Sequence, residues 1–154
     1  MSQGLDVIII DDEEMICEVL SRQVAKFYTM GEVYTFTDPT LARTFCFNRK
    51  NELAIFVIDV FLGQTTAFDF IEAVSVHYPM AADDTIIITG NADSDVVNMC
   101  LAAGVNHLLE KPIKPFAFQL AVRAIAAKYT RFARKLMKDP ALVRSVERME
   151  APNS

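Results

Sequence analysis

Short apolar runs separated by polar turns recur along the whole chain. Three of them, VIII, IFVI and TIII, are continuous and rich in β-branched residues instead of alternating with polar ones. Such runs are typical of central parallel strands that are covered by helices on both faces. Together with two weaker runs, the pattern predicts five strands, at residues 5–10, 32–36, 53–58, 85–89 and 105–109.

Each predicted strand is followed by a segment in which apolar residues recur at helical spacing. Asp12 can cap the first helix, Asp38 and Pro39 form a cap and first turn for the second, and Gly104 can end the fourth. Helices are predicted at 13–28, from 39, at 67–77, at 93–104 and from 115. Five strand–helix units in succession predict an α/β fold with a doubly wound parallel sheet.

The fifth helix and the residues after it form a distinct region. The helix begins near Pro115, and its apolar side includes Phe116, Leu120 and Ile125. The sequence KDP at 138–140 reads as a helix stop followed by a new cap, and ALVRSVERM after it can form a short amphipathic helix. We therefore expect one domain over residues 1–137 and a short helical or disordered tail over residues 138–154.

Composition limits the class of protein. The chain has 154 residues, of which 52% are hydrophobic and 23% charged, so a disordered chain and a fibrous repeat are both excluded. Three cysteines lie far apart in apolar segments and indicate reduced thiols, not a disulfide framework. No run approaches the length of a membrane span, and the apolar start is too short for a signal peptide. We expect a cytoplasmic protein that does not enter a membrane.

Charge is divided unevenly along the chain. The formal net charge is −5, yet residues 128–154 hold seven basic and three acidic residues, a segment charge of +4. A solvated helix face is the simpler interpretation of this tail. The alternative is a docking or dimerisation surface whose apolar stripe is Tyr129, Phe132 and Leu136. Direct nucleic-acid binding is not expected, because no recognition motif accompanies the charges.

Polar residues stand where the predicted strands end. Asp11 and Asp12 follow the first strand, Asp59 the third, Thr89 ends the fourth and Lys111 follows the fifth. Ligands of open α/β sheets bind outside the carboxyl ends of the strands, so these side chains should share one edge. Three carboxylates would repel one another unless a cation neutralised them, and Mg²⁺ suits such a group of oxygen ligands.

The same residues suit phosphoryl transfer. The carboxylate of Asp59 is a candidate nucleophile able to form an aspartyl-phosphate. Lys111 offers a compact positive charge and Thr89 a hydroxyl, and both can contact phosphoryl oxygens. Taken singly, each residue also has an ordinary structural explanation, such as a cap, a strand end or a turn. Their joint occurrence at four strand ends favours the functional interpretation.

The segments VIIIDDEE, VIDVFL, IIITG and LEKPI, in this order and at this spacing, resemble the receiver domains of two-component response regulators. The resemblance covers about residues 5–137. It implies the flavodoxin-like (βα)5 fold of CheY, with strand order 2-1-3-4-5. It also implies a phosphoprotein that acts in phosphorelay signal transduction.

Carried over by position, the resemblance implies roles for the acidic residues. Asp59 would accept the phosphoryl group, and Asp11 and Asp12 would complete a pocket for magnesium or manganese. Asp12, Asp59 and the backbone carbonyl of Phe61 would contact the ion directly, while Asp11 would act mainly through water.

The remaining positions of the implied site are polar contacts for the phosphoryl group. Thr89 would be the switch hydroxyl and Lys111 the conserved lysine. The resemblance also implies a cis peptide bond between Lys111 and Pro112, a form whose energetic cost is low only before proline.

The sequence departs from the family pattern at three positions. Leu108 stands three residues before Lys111, where the family usually has Tyr or Phe, so an aromatic relay cannot operate there. Gly63 and Ala67 stand where the loop after Asp59 usually has Pro and Gly. These departures put the loop conformation and the usual switching relay in question.

Two positions near the acceptor are expected to tune the lifetime of a phosphoryl group. Phe61 is bulky and apolar where many receivers have a polar residue, and we expect it to shield an acyl phosphate from water. Asn91, two residues after the switch threonine, is the second such position.

The implied function is a phosphorylation-dependent switch, not an enzyme with an external substrate, although it would promote its own phosphotransfer and dephosphorylation. A sensor histidine kinase or a phosphotransfer protein would supply the phosphoryl group. The surface of the fourth helix, fifth strand and fifth helix would then bind a downstream protein or, alternatively, a second copy. The chain could be a single-domain regulator or the receiver part of a longer one.

Other functions fit the residues less well. Leu108, Gly63 and Ala67 motivate a receiver-like interaction module that signals without phosphorylation. An aspartyl phosphatase would need a second carboxylate where Phe61 stands. Flavin binding is disfavoured because the acidic residues after the first strand would repel a phosphate.

Overall fold

The structure is a computed structural model that describes residues 4–150. At its centre lies a five-stranded parallel sheet whose strands, in chain order, are β1 Val7–Ile10, β2 Val33–Phe36, β3 Ile55–Asp59, β4 Thr85–Thr89 and β5 His107–Glu110. Their spatial order is β2-β1-β3-β4-β5. The predicted flavodoxin-like topology is confirmed.

Six helices accompany the sheet: α1 Glu14–Phe27, α2 Pro39–Asn48, α3 Ala67–Val74, α4 Ser94–Ala103, α5 Pro115–Lys138 and α6 Pro140–Glu150. The predicted C-terminal helical extension is confirmed as α6, which packs against α5. A two-stranded hairpin that the sequence pattern did not predict follows β3 and pairs Phe61–Leu62 with Thr65–Thr66. Gly63 in its turn has a φ of 65°, a backbone conformation that glycine adopts without strain.

The apolar core lies on both faces of the sheet. Successive side chains of a strand point to opposite faces. Thus Ile8 and Phe56 pack under α2, α3 and α4, while Ile9 and Val57 pack under α1 and α5. Every residue of β1 is buried. The continuous apolar runs in the sequence follow from this two-sided burial.

Two predicted helix ends are confirmed and one cap was wrong. The Asp38 carboxylate accepts a hydrogen bond from the Thr40 amide at 2.8 Å, and Gly104 ends α4 in the left-handed conformation. Asp12 does not cap α1, because Glu13 is the residue before that helix. The buried Asp11 carboxylate instead accepts a hydrogen bond from the Glu13 amide at 2.9 Å. Asp12 is exposed at the edge of the sheet.

The inward side of α5 also differs from the prediction. Phe116 is 84% exposed and Leu120 71% exposed, so the interpretation that both lie on the packed side was wrong. The stripe that faces the sheet has the same helical spacing in a different phase. Its buried members are Phe118, Ala121, Val122 and Ile125.

The described residues contain no helix with both the length and the apolarity to cross a bilayer. The thiols of Cys17, Cys46 and Cys100 are free and buried.

Two buried carboxylates fasten helices to the amino edge of the sheet. Asp84, directly before β4, accepts a hydrogen bond from the Lys128 ammonium at 2.6 Å and another from the Tyr129 hydroxyl. Asp6, before β1, pairs with Arg49 after α2. Burial, and then the hydrogen bond to Asp84, raises the pKa of Tyr129, so its hydroxyl remains a donor. These contacts hold α2 and α5 in place at the end of the sheet opposite the predicted site.

The Asp84 contacts lead to a stability prediction. Asp84→Ala is expected to lower the free energy of unfolding by about 2–3 kcal/mol, because the substitution leaves the Lys128 ammonium and the Tyr129 hydroxyl without their buried acceptor. Asp83→Ala, which removes the neighbouring half-buried carboxylate, should cost about 0.5 kcal/mol or less. Urea unfolding of both variants measures the difference, and equal losses would contradict this account of Asp84.

Candidate functional site

Two neighbouring strands bring three carboxylates together at the carboxyl edge of the sheet. Asp11 and Asp12 directly follow β1, and Asp59 is the last residue of β3. Since Ile10 pairs with Ile58 in the parallel register, the two strands end at the same level. Carboxylate oxygens of all three aspartates lie within 4.8 Å of one another. The structure thus joins side chains that are 47 residues apart or more along the chain.

Lys111 places a positive charge inside this cluster. Its Nζ lies 3.0 Å from Oδ2 of Asp11 and 3.5 Å from Oδ2 of Asp59. The lysine follows β5, and its backbone amide donates to the carbonyl of Thr89 at 2.7 Å, which fixes where its side chain starts. The implied cis peptide bond between Lys111 and Pro112 is present.

The charges of the site act on one another. Burial, and next the charge of Asp11, raises the pKa of Asp59, and the Lys111 ammonium only partly offsets this effect. Burial alone would lower the pKa of Lys111, but its hydrogen bond to Asp11 and the carboxylate charges raise it instead. Lys111 is therefore held in its charged form, and Asp59 is more basic than an ordinary aspartate.

The donor set fits a hard divalent cation. Three carboxylates share the charge of one lysine at the site, so an excess of negative charge remains. Asp12 is exposed, so a cation bound here could also keep water ligands, as magnesium does in proteins.

Thr89 lies at the end of β4, the strand next to β3. Thr89 is buried. Its hydroxyl donates a hydrogen bond to the Asn91 carbonyl at 3.1 Å and accepts one from the Asn91 amide, also at 3.1 Å. The hydroxyl is thus engaged within its own loop. Asn91 therefore contacts the predicted switch residue through its backbone.

Phe61 forms one wall of an open cleft beside the acidic cluster. Its side chain is 59% exposed, and Thr89, Gly90, Asn91 and Met99 help to line the cleft, whose volume is about 470 Å³. Phe61 also begins the hairpin after β3. Gly63 and Ala67, the two departures in this loop, occupy the hairpin turn and the buried first position of α3.

The side chains of β5 divide between the two faces of the strand. Leu108 is half-buried in the apolar cluster under α2, α3 and α4. His107 is half-buried and close to Lys128 of α5, where burial, and then the lysine charge, lowers its pKa. These neighbouring side chains therefore point to opposite sides of the strand.

Glu110 is a residue that sequence analysis missed. Its carboxylate accepts a hydrogen bond from the Ala92 amide at 2.7 Å, in the loop between β4 and α4. An acidic residue at the last position of an otherwise apolar strand end, directly before Lys111, was the available signal.

Most of the chain is similar to known proteins. The family model of the response regulator receiver domain matches residues 7–145. The transcriptional regulatory protein DcuR of Escherichia coli K12 is 25% identical over 118 residues, which are 77% of this chain and 48% of that protein. The chain spans about half the length of the curated relatives it matches.

Solved structures share the fold. A response regulator receiver domain protein from Clostridium thermocellum has a TM-score of 0.72 at 20% identity and covers 83% of this chain and 98% of its own. The beryllofluoride-activated NtrC4 receiver domain dimer has a TM-score of 0.68 at 23% identity and covers 80% and 98%. The chemotaxis protein CheY4 of Vibrio cholerae has a TM-score of 0.68 at 20% identity and covers 79% and 98%.

The raised pKa of Asp59 predicts a pH-dependent stability. Folding disfavours the charged form of this group, so the destabilisation is absent below the ordinary aspartate pKa and develops as the pH rises through the raised pKa. Asp59→Asn removes the charge and is expected to raise Tm at pH 7 by about 2–4 °C, on the order of 1 kcal/mol. The gain should shrink as the pH falls toward about 4.

Thermal unfolding of both proteins across this pH range measures the effect. Glu52→Gln removes an exposed carboxylate before β3 and is the matched control, with no comparable gain expected. A variant at Asp59 no more stable than the wild type at pH 7 would show that Lys111 fully compensates the repulsion.

Proposed function

Because the chain belongs to the family of response regulator receiver domains, the signalling domains of two-component systems, we propose that it is a phosphorylation-dependent switch with Asp59 as the phosphoacceptor. The observation that carries this proposal is the position of the Asp59 carboxylate, which shares one cluster with Asp11 and Asp12 and lies 3.5 Å from the Lys111 ammonium. A sensor histidine kinase or a phosphotransfer protein would supply the phosphoryl group.

The proposed reaction is a displacement at phosphorus. An oxygen of Asp59 attacks the phosphorus of a phosphohistidine, the P–O bond forms as the P–N bond breaks, and the imidazole leaves with the electron pair and takes up a proton. Asp12, Asp59 and the Phe61 carbonyl would hold a magnesium or manganese ion, with Asp11 acting through water. When bound, the ion supplies charge that offsets the carboxylates and the phosphoryl oxygens.

Lys111 and Thr89 would respond to the new group. The Lys111 ammonium already lies close to Asp59, so a phosphoryl oxygen attached there would come within its reach. The Thr89 hydroxyl forms two hydrogen bonds with the Asn91 backbone. Both must break before the hydroxyl can reach a phosphoryl oxygen. Phosphorylation would thereby shift the population of the loop between β4 and α4.

The proposed output is binding through the surface of α4, β5 and α5. Both helices expose large apolar side chains, Val97 and Leu101 on α4 and Phe116 and Leu120 on α5, and exposed apolar groups favour protein–protein contact. We propose a downstream protein as the partner. A second copy of the chain is the alternative, supported by the dimeric NtrC4 receiver among the structural neighbours.

Location and domain limits complete the proposal. We place the switch in the cytoplasm, where reduced thiols such as these three persist. We also treat residues 1–137 as the receiver and 138–154 as its tail. The end of α5 at Lys138 and the start of α6 at Pro140 support this division, although the family match continues to residue 145.

Phosphoryl uptake tests the function directly. After incubation with acetyl phosphate and Mg²⁺, the wild type is expected to gain the mass of one phosphoryl group, while Asp59→Ala gains none because the nucleophile is missing. Removal of the divalent ion with EDTA should slow uptake by about 100-fold or more, since the carboxylates and phosphoryl oxygens then repel one another. Intact-protein mass spectrometry over time measures both effects.

Asp83→Ala is the control, since it removes a carboxylate at the opposite edge of the sheet. If the wild type takes up no phosphoryl group from acetyl phosphate or from a panel of histidine kinases, the proposal fails. A receiver-like interaction module that signals without phosphorylation would then be the better account.

The position of Phe61 predicts a long-lived phosphoryl group. Phe61→Asn is expected to shorten its lifetime by roughly three- to tenfold, because a smaller polar side chain admits water to the cleft beside Asp59. Loss of phosphoryl mass after removal of the donor measures the rate. Phe47→Asn replaces another partly exposed phenylalanine, on α2, and should leave the lifetime unchanged. Equal lifetimes for wild type and Phe61→Asn would rule out shielding by this ring.

A further inference from the structure

We propose that Glu110 is a positioning residue that restrains residues 90–93, the loop between β4 and α4, and thereby slows phosphorylation at Asp59. The inference rests on the proposed function, because the loop begins directly after Thr89. Glu110 has no contact with the acidic cluster and would act through the loop alone.

Four hydrogen bonds hold this loop and the end of β4 before it in their present arrangement. The Ala92 amide donates to the Glu110 carboxylate at 2.7 Å. The Thr89 carbonyl accepts a hydrogen bond from the Lys111 amide at 2.7 Å. The Thr89 hydroxyl forms two hydrogen bonds with the backbone of Asn91. Thr89 and Glu110 also stand opposite each other in the parallel register. The end of β5 therefore holds the loop through one residue and the acidic cluster through the next.

Glu110 is the polar link between the β5 side chains and this loop. Leu108 and Leu109 pack into the two apolar clusters, and His107 lies near α5. Among the side chains of β5, the Glu110 carboxylate is thus the group that anchors Ala92.

The restraint opposes the movement that phosphorylation needs. While the Ala92 amide is bound to Glu110, the neighbouring Asn91 keeps the position in which its backbone forms hydrogen bonds with the Thr89 hydroxyl. Thr89 can turn to a phosphoryl oxygen only after these bonds break. Loss of the Glu110 contact should lower the barrier to that movement, so Glu110 would favour the unphosphorylated arrangement of the loop.

Two substitutions at Glu110 test the inference. Glu110→Ala removes the acceptor and is expected to speed phosphoryl uptake from acetyl phosphate with Mg²⁺ by about three- to tenfold, the effect of one hydrogen bond. Glu110→Gln keeps a carbonyl oxygen for the Ala92 amide, and its rate should stay within about twofold of the wild type. Glu52→Ala controls for the loss of an exposed carboxylate and should not change the rate.

A second measurement reports on the contact without phosphorylation. Hydrogen exchange of the Ala92 amide, followed by NMR in the unphosphorylated protein, is expected to speed up about three- to tenfold in Glu110→Ala and little in Glu110→Gln. Thermal unfolding should give nearly the same Tm for all variants, since this contact is exposed.

The possible outcomes distinguish the role of Glu110 from the proposed phosphorylation of Asp59. Faster uptake together with faster Ala92 exchange in Glu110→Ala supports the inference. Unchanged exchange, or uptake that is equal to or slower than that of the wild type, overturns it. If the wild type itself takes up no phosphoryl group, the proposed function fails and the kinetic role of Glu110 fails with it. Ala92 exchange would then still decide whether Glu110 restrains the loop.

Discussion

A single ammonium group reaches two carboxylates across the carboxyl end of the sheet. Lys111 contacts Asp11 and Asp59, and Asp12 joins them in the same small volume. One positive charge cannot neutralise three negative ones, so the cluster keeps an unmet demand for positive charge. This imbalance favours the binding of a cation at this edge. The pKa of Asp59 is raised first by burial and next by the charge of Asp11.

At the opposite edge of the sheet, each buried carboxylate is paired with donors from the protein itself. There the Asp84 carboxylate has both a lysine and a tyrosine as partners, and Asp6 has an arginine. Buried carboxylates whose partners lie within the protein stabilise the packing of helices and need no ligand. One edge of the sheet thus holds carboxylates that are paired within the protein, and the other holds carboxylates in excess of their single lysine. Helix α5 runs between the two edges, from Pro115 to Lys128 and beyond.

Strand β5 connects the acidic cluster to the loop between β4 and α4. Lys111, directly after the strand, reaches the carboxylates, while Glu110 holds the amide of Ala92. Leucine occupies the position where the family usually has an aromatic ring, and here it is packed into the apolar core. A hydrogen bond from the Ala92 amide to Glu110, not an aromatic side chain, therefore links β5 to the loop after Thr89.

The sequence by itself determined the strand–helix alternation and the group of Asp11, Asp12, Asp59 and Lys111, because buried strands must be apolar and their polar ends must share one edge. The sheet order was implied by the resemblance to receiver domains and is confirmed by the structure. It could not determine the phase of α5, where Phe116 and Phe118 are equally apolar and only packing against the sheet buries Phe118. The cap of α1 and the Glu110 contact were likewise decided in three dimensions. Both depend on where a carboxylate meets a backbone amide, and that distance is set by tertiary packing and not by residue type.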